Sequence, residues 1–362
     1  GIREQDVALP TTLFDATGRF AGSADSRLPE EESAAFDAYV RRYLEFFPPG
    51  CLAGVRIGSY EHSSVLREAF YQVLTGLGAE VERLGFSETF IPVDTEAIRP
   101  EDVALARDWA AERRFDALVS ADGDGDRPLV SDERGHWLRG DIAGILCARY
   151  LGVSGVVTPV SSNTAVEKSG WFTRVLRTRI GSPFVIAGMR ELLDQGLAPV
   201  AGYEANGGFL LASDVEKSGR RLTALPTRDA ILVAVATLLL AREQGKPVSE
   251  LTGALPQRFT YSDRIRDFPS ERSHECLEVL YSGDFARDKA RLDKMLGEQF
   301  GPVAALDATD GLRITFESGE IAHFRPSGNA PELRAYTEAD SEQRAREMNA
   351  QCMDLLAAWR ES

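Results

Sequence analysis

The chain has 362 residues, 43% hydrophobic and 27% charged, which are the proportions of a globular protein long enough for two to four domains. Its formal net charge of −15 argues against a nucleic-acid partner, because affinity for that polyanion comes from clustered Lys and Arg; small anionic ligands stay open where arginines gather locally. The longest apolar run, Ala230 to Ala241, is too short to span a bilayer and the opening residues follow no signal-peptide pattern, so a cytoplasmic protein without a membrane partner is expected.

Pro10, Gly18, Gly22 and Pro29 interrupt the first thirty residues, and 1–30 reads as a connector or the remnant of a preceding domain. A helix is expected from Pro29 to Phe47, with Glu30, Glu31 and Glu32 at its positive end and Pro48, Pro49 and Gly50 stopping it. The apolar run Cys51 to Ile57, a helical pattern from Ser63 to Leu77 and a strand at Glu80 to Leu84 then make one βαβ-like unit. Arg56, Ile57, Gly58 and Ser59 are echoed by Arg179, Ile180, Gly181 and Ser182, each followed by a helix ending near Gly76 or Gly196. The echo predicts two related mixed α/β domains, at 31–140 and 141–254.

After about Leu255 the pattern changes. Leu312, Ile314 and Phe316 alternate with Arg313, Thr315 and Glu317, turn at Ser318 and Gly319, and return through Ile321 to Phe324 as an antiparallel hairpin. A last helix is expected over Asp340 to Arg360, with Ala345, Met348, Cys352, Leu355 and Trp359 on one stripe, so 255–362 reads as an α+β domain with an antiparallel sheet. Cys51, Cys147, Cys276 and Cys352 lie far apart without metal-ligand spacing and read as reduced thiols.

Three runs carry chemistry. In the first, Asp122, Asp124 and Asp126 alternate with Gly123 and Gly125 ahead of Arg127, between strand-like segments Phe115 to Ala121 and Pro128 to Ser131. Alternation throws the carboxylates to one side of an extended chain, glycines let them converge, and such hard oxygens suit Mg²⁺, Mn²⁺ or Ca²⁺ rather than Zn²⁺. An EF-hand loop is the competing reading, with Glu133 at its twelfth position, but it requires glycine where Arg127 stands and helices where strands are expected. A solvated acidic turn is the plainer alternative.

The second run, Arg325 to Arg334, holds two arginines, Ser327, Gly328 and Asn329 and reads as a phosphate cradle, against the alternative of an ordinary Pro/Gly turn. In the third, Gly202 to Gly208, Glu204 and Asn206 stand on a glycine-rich loop where paired sugar hydroxyls can be bound, although a plain loop explains it too.

Together the three runs resemble the α-D-phosphohexomutase superfamily, the phosphomannomutases and phosphoglucomutases. Its metal loop DGDxDR is matched by Asp122 through Arg127. Its sugar loop, roughly GExSG, is matched by Glu204 with Asn206 in place of serine. Its phosphate loop RxSGTEPxxR is matched by Arg325, Ser327, Gly328, Pro331 and Arg334, with Asn329 and Ala330 replacing Thr and Glu. Arg177 to Gly181 resembles the stretch that leads into the family's third domain.

The resemblance implies domains arranged around a central cleft, in which a phosphoryl group moves between O1 and O6 of a hexose by way of a phosphoserine and a hexose 1,6-bisphosphate. It further implies Mg²⁺ on Asp122, Asp124 and Asp126, Arg127 against the transferring phosphate, and Glu204 and Asn206 on the sugar. Arg325, Ser327, Gly328, Asn329 and Arg334 would hold the other phosphate, with Arg179 and Ser182 as further cleft residues and glucose 1,6-bisphosphate as activator. The family's Thr-Ala-Ser-His-Asn-Pro loop has no match, the pair Ser273 and His274 reads as a surface feature, and the chain alone is therefore expected to be inactive. A phosphoglucosamine mutase and a non-catalytic sugar-phosphate-binding protein are the alternatives.

Overall fold

Gly50 and Gly54 adopt φ of +68° and +79°, and the turns they make replace the strand expected from Cys51. Only its last residues are extended, since a left-handed glycine at position 54 cannot belong to a straight strand. The computed structural model describes residues 32–327 and 330–361, so the expected connector 1–30 and the first residues of the expected opening helix lie outside the described residues. By contacts the chain divides into a short unit, Gly1–Tyr39, and a large one, Val40–Ser362, which holds every described sheet.

Helix α1 (Ala34–Phe46) precedes β1 (Arg56–Tyr60), α2 (Arg67–Gly76), β2 (Glu80–Leu84), α3 (Pro100–Arg113), β3 (Ala117–Ala121) and β4 (Pro128–Val130). The four strands form a sheet in the order β2-β1-β3-β4, parallel except for β4. Helix α2 starts later than the expected Ser63, because residues 61–66 are committed to a loop with its own hydrogen bonds.

Next come α4 (Gly140–Leu151), β5 (Gly155–Pro159), α5 (Ala165–Lys168), β6 (Arg174–Thr178), α6 (Ser182–Asp194), β7 (Val200–Tyr203) and β8 (Phe209–Leu211). Their sheet runs β6-β5-β7-β8, again parallel until the last strand. Two mixed α/β sheets of one topology therefore stand side by side in the sequence. The echo that suggested them is not structurally equivalent, however: Arg56 to Ser59 lie in β1, whereas Arg179 to Ser182 form the turn from β6 into α6. Gly181 at φ +127° and Pro183 in the first helical turn force that exit from the strand.

A hairpin of β9 (Val215–Lys217) and β10 (Arg220–Leu222) leads into α7 (Ala230–Gln244) and α8 (Val248–Gly253). Helix α7 is buried all round from Ala230 to Ala241, the signature of a core helix, and it packs against α4, β3, β4 and β8. The run too short for a bilayer thus joins elements of both sheets, and among the described residues no helix is long and apolar enough to cross a membrane.

The remainder contains β11 (Phe259–Arg266), α9 (Ser270–Leu280), α10 (Phe285–Phe300), β12 (Val303–Asp307), β13 (Leu312–Phe316), β14 (Ile321–Pro326), β15 (Glu332–Ala339) and α11 (Glu342–Glu361). The antiparallel sheet β11-β15-β14-β13-β12 buries Phe316 and Phe324 against Leu292, Leu296, Met348, Cys352 and Leu356 of α10 and α11. On the stripe of the last helix Leu356 is buried where Leu355 was expected, Leu355 and Trp359 flanking it.

Candidate active site

Every residue of β3 is buried, so the strand is a rigid base from which the loop Asp122 to Arg127 projects before β4 returns. The loop is closed by the Asp122 N–H on the Arg127 carbonyl at 3.0 Å and by the Gly125 N–H on the Asp122 carbonyl at 3.2 Å. Asp122 Oδ1 accepts from the N–H groups of Asp126 and Arg127 at 3.1 and 3.2 Å, which turns the acidic run inward.

As a result, one oxygen from each of Asp122, Asp124 and Asp126 lies within 4.8 Å of the others. Burial, reinforced by the charges of Asp124 and Asp126, pushes the Asp122 carboxyl up to about 6. Asp126 Oδ1 is buried without a hydrogen-bond donor, and Arg127 Nε stands 3.6 Å from it and 3.7 Å from Asp122 Oδ2. Converging hard oxygens, one unsatisfied and one with its charged form disfavoured, fit a divalent cation of the Mg²⁺ type. The flanks are strands, so the EF-hand reading falls.

Residues that sequence reasoning passed over hold this loop in place. In the turn after β1, His62 Nε2 donates to the Ala121 carbonyl at 2.7 Å, Ser64 Oγ to the Asp122 carbonyl at 2.7 Å and the Val65 N–H to the Gly123 carbonyl at 3.1 Å. Three consecutive carbonyls, from the end of β3 into the acidic run, thus meet three donors. Gly125, at φ +77°, lies so close that a Cβ there would come 2.7 Å from Leu66. The legible signal was a polar cluster, His62 to Ser64, interrupting an apolar pattern directly after a strand.

Strand β7 delivers the second loop. Glu204 N–H bonds to the Gly208 carbonyl at 3.1 Å and Gly207 N–H to the Glu204 carbonyl at 3.0 Å, a tight turn that leaves Glu204 only 3% exposed. Its Oε2 accepts from Ser182 Oγ at 2.8 Å and from Nη2 and Nε of Arg228 at 2.8 and 3.1 Å. The third guanidinium nitrogen of Arg228 reaches Asp126 Oδ2 at 3.0 Å. One arginine, not picked out from the sequence, therefore joins the acidic loop to the glycine-rich loop. The Glu204 and Asp126 charges in turn oppose the desolvation that burial imposes on Arg228 and raise its pKa.

Asn206 spends its side-chain carbonyl within its own turn, on the Gly208 N–H at 3.0 Å, and Thr95 Oγ1 donates to its backbone carbonyl at 2.7 Å. The loop lies directly on its neighbours: a Cβ on Gly140, at the start of α4, would meet the Ala205 carbonyl at 2.6 Å and the backbone of Gly207.

The third run opens on a cavity of about 530 Å³ lined by Arg179, His274, Tyr281, Asp310, Arg325 and Ser327. Asp310 Oδ2 accepts from Arg325 Nε and from the Ile180 N–H, both at 2.9 Å, which ties the sheet of β14 to the turn before α6. The guanidinium of Arg179 lies 5.0 Å from the centre of the Phe184 ring. Gly328 and Asn329 lie outside the described residues.

Further residues lie in surroundings other than those expected. Arg334, although opposite Arg325 in the β14–β15 register, lines a separate cavity of about 370 Å³ with Arg264, Arg266, Glu96 and Tyr336, and bonds to Glu332 at 3.1 Å. Neighbouring side chains of one sheet face have splayed toward different acids, Asp310 for Arg325 and Glu332 for Arg334. The pair Ser273 and His274 is no simple surface feature either, since Ser273 is fully buried and His274 faces the Arg325 cavity.

A continuous path of contacts now links a cation-type carboxylate cluster, a nearly buried glutamate with donors on one side, and an arginine-lined cavity: Asp126, Arg228, Glu204, Ser182, then Ile180, Asp310 and Arg325. Fold and site together define an α/β protein with a carboxylate cluster suited to a divalent cation and an arginine-lined cavity suited to an anion.

Residues 139–259 match the family described as phosphoglucomutase/phosphomannomutase, alpha/beta/alpha domain III, and residues 286–355 its C-terminal domain. A phosphomannomutase of Sinorhizobium fredii is 44% identical over 90% of this chain and 68% of its own length, and one of Salmonella muenchen 45% identical over 85% and 63%. The solved structure of an Aspergillus fumigatus N-acetylphosphoglucosamine mutase, in complex with GlcNAc-6P and magnesium, superposes with a TM-score of 0.57 at 14% identity, covering 89% of this chain and 64% of that one. The chain belongs to the phosphoglucomutase/phosphomannomutase family. It spans about two thirds of the length of these curated relatives.

Proposed function

We propose that the protein serves the interconversion of a hexose 1-phosphate and the hexose 6-phosphate, with mannose phosphates as its substrates. The observation that carries this is the shared guanidinium of Arg228, which puts the acidic cluster and Glu204 within one side chain of each other, as transfer onto a sugar hydroxyl beside a metal requires. Mannose is favoured over glucose and glucosamine because the relatives at 44% and 45% identity are phosphomannomutases.

Asp122, Asp124 and Asp126 would hold Mg²⁺, which when bound supplies a Lewis acid for phosphoryl oxygens. Arg127, close to two of these acids, adds positive charge where a transferring phosphoryl group gathers its negative charge. Glu204 has one oxygen engaged by Ser182 and Arg228, which directs the other toward sugar hydroxyls. Arg325 and Ser327, with Arg179 across the cavity, would take the second phosphate, and a hexose 1,6-bisphosphate would engage both ends. A cytoplasmic location accords with four cysteines that are all free.

Binding is the appropriate test, since no segment of the sequence matches the family's phosphoserine loop. Mannose 6-phosphate with Mg²⁺ should raise the melting temperature, free mannose should not, and Arg325→Ala should abolish the shift. Ligand at ten times its Kd stabilises by about 1.4 kcal/mol, enough to resolve. A shift with glucosamine 6-phosphate but none with mannose 6-phosphate would overturn the sugar assignment, and no shift with either would overturn the site.

A further inference from the structure

Arg228 lies 102 residues from Asp126 and 24 from Glu204 in sequence, yet its three guanidinium nitrogens are divided between these two acids. Asp126 gives Oδ2 to Arg228 at 3.0 Å while its Oδ1 stays buried and without a donor, so the arginine decides which carboxylate oxygen faces the acidic cluster. Ligating carboxylates are commonly oriented through their second oxygen in this way.

The seat of the arginine is built into the fold. A Cβ on Gly208 would come 2.6 Å from Arg228 Cδ, so the glycine-rich loop is shaped to the side chain. The next residue, Asp229, caps the buried helix α7 by accepting from the Leu232 N–H at 3.1 Å, which anchors the backbone that carries Arg228. A planar fork can bridge two carboxylates in a fixed geometry, and a flexible ammonium cannot.

We propose that Arg228 is a positioning residue that couples occupancy of the metal loop to occupancy of the sugar loop, by sharing one positive charge between Asp126 and Glu204. Whatever alters the hold of Glu204 on the guanidinium alters the charge left on Asp126, and by linkage metal at Asp126 changes the donors available to Glu204. The inference rests on the assignment of Asp122, Asp124 and Asp126 to the metal.

The test is Mn²⁺ titration calorimetry on the 362-residue chain and on Glu204→Gln, Arg228→Gln and the double variant, each checked for folding by its melting transition. Glu204 is not among the clustered acids, yet Glu204→Gln should weaken Mn²⁺ binding about fivefold, because the full guanidinium charge then falls on Asp126. In the Arg228→Gln background the same change should cost less than about twofold. Arg228→Lys should behave like Arg228→Gln in the cycle, and it replaces that variant if the latter does not fold. Equal effects in both backgrounds, as a simple field from Glu204 would give, or no effect in either, overturn the coupling. If Mn²⁺ fails to bind, or binds equally to Asp124→Asn, the metal assignment falls and the coupling falls with it.

Discussion

Ser182 donates its hydroxyl to Glu204 at 2.8 Å from the first turn of α6, so the segment that carries Arg179 into one cavity ends on the carboxylate of the next loop. Removing that hydroxyl leaves Glu204 to Arg228 alone. Ser182→Ala should weaken hexose 6-phosphate binding by about 1 kcal/mol, roughly fivefold, while inorganic phosphate binding changes little. Parallel losses for both ligands, measured by calorimetry, would place Ser182 in the phosphate cavity instead.

The acidic loop makes a direct prediction about metal. Asp124 is the exposed member of the cluster, so Asp124→Asn should spare the fold yet lower Mn²⁺ affinity by more than about 1 kcal/mol. Titration of both proteins under one buffer decides it, and equal affinities would remove the assignment.

Gly140 offers a steric test of how the glycine-rich loop is seated. Gly140→Ala puts a methyl group against the backbone of Ala205, Asn206 and Gly207, which a short turn cannot absorb. The variant should lose about 1 to 3 kcal/mol of stability and the melting shift with mannose 6-phosphate. A stable variant with the full ligand shift would show that the loop moves freely away from α4.

His323 predicts a pH dependence of stability. The ring is buried, its Nε2 donates to the Asp310 carbonyl at 2.6 Å, Nδ1 has no partner, and desolvation pulls the pKa down from 6.5 to about 4. Above pH 6.5 the ring is neutral in both states and contributes nothing to the slope. Between 6.5 and about 4 the unfolded chain binds the proton and the native one does not, so stability falls with pH by about 3 kcal/mol in all. Melting curves of the wild type and His323→Gln should diverge over that window, whereas parallel curves would show that another group sets the slope.

Much of the chemistry was legible in short stretches. Asp122 to Arg127 and Gly202 to Gly208 announce themselves because a tight turn, a set of carboxylates and their glycines are consecutive in the chain. The alternation through Leu312 to Phe316 likewise marks a half-buried strand, because strand geometry has a period of two and needs no distant information. Where a glycine turn overrides an apolar run, as at Gly54, the run alone misplaced the start of a strand.

From its sequence alone the protein had its architecture, its acidic cluster and its family resemblance, since these rest on local patterns and on residue types at fixed spacing. Only tertiary structure decided that Arg228 spans Asp126 and Glu204, that His62, Ser64 and Val65 hold the acidic loop, and that Arg325 and Arg334 face different cavities. Each of those facts depends on groups far apart in the chain that the fold brings together. No sequence interval encodes which of two neighbouring acids a given arginine will meet.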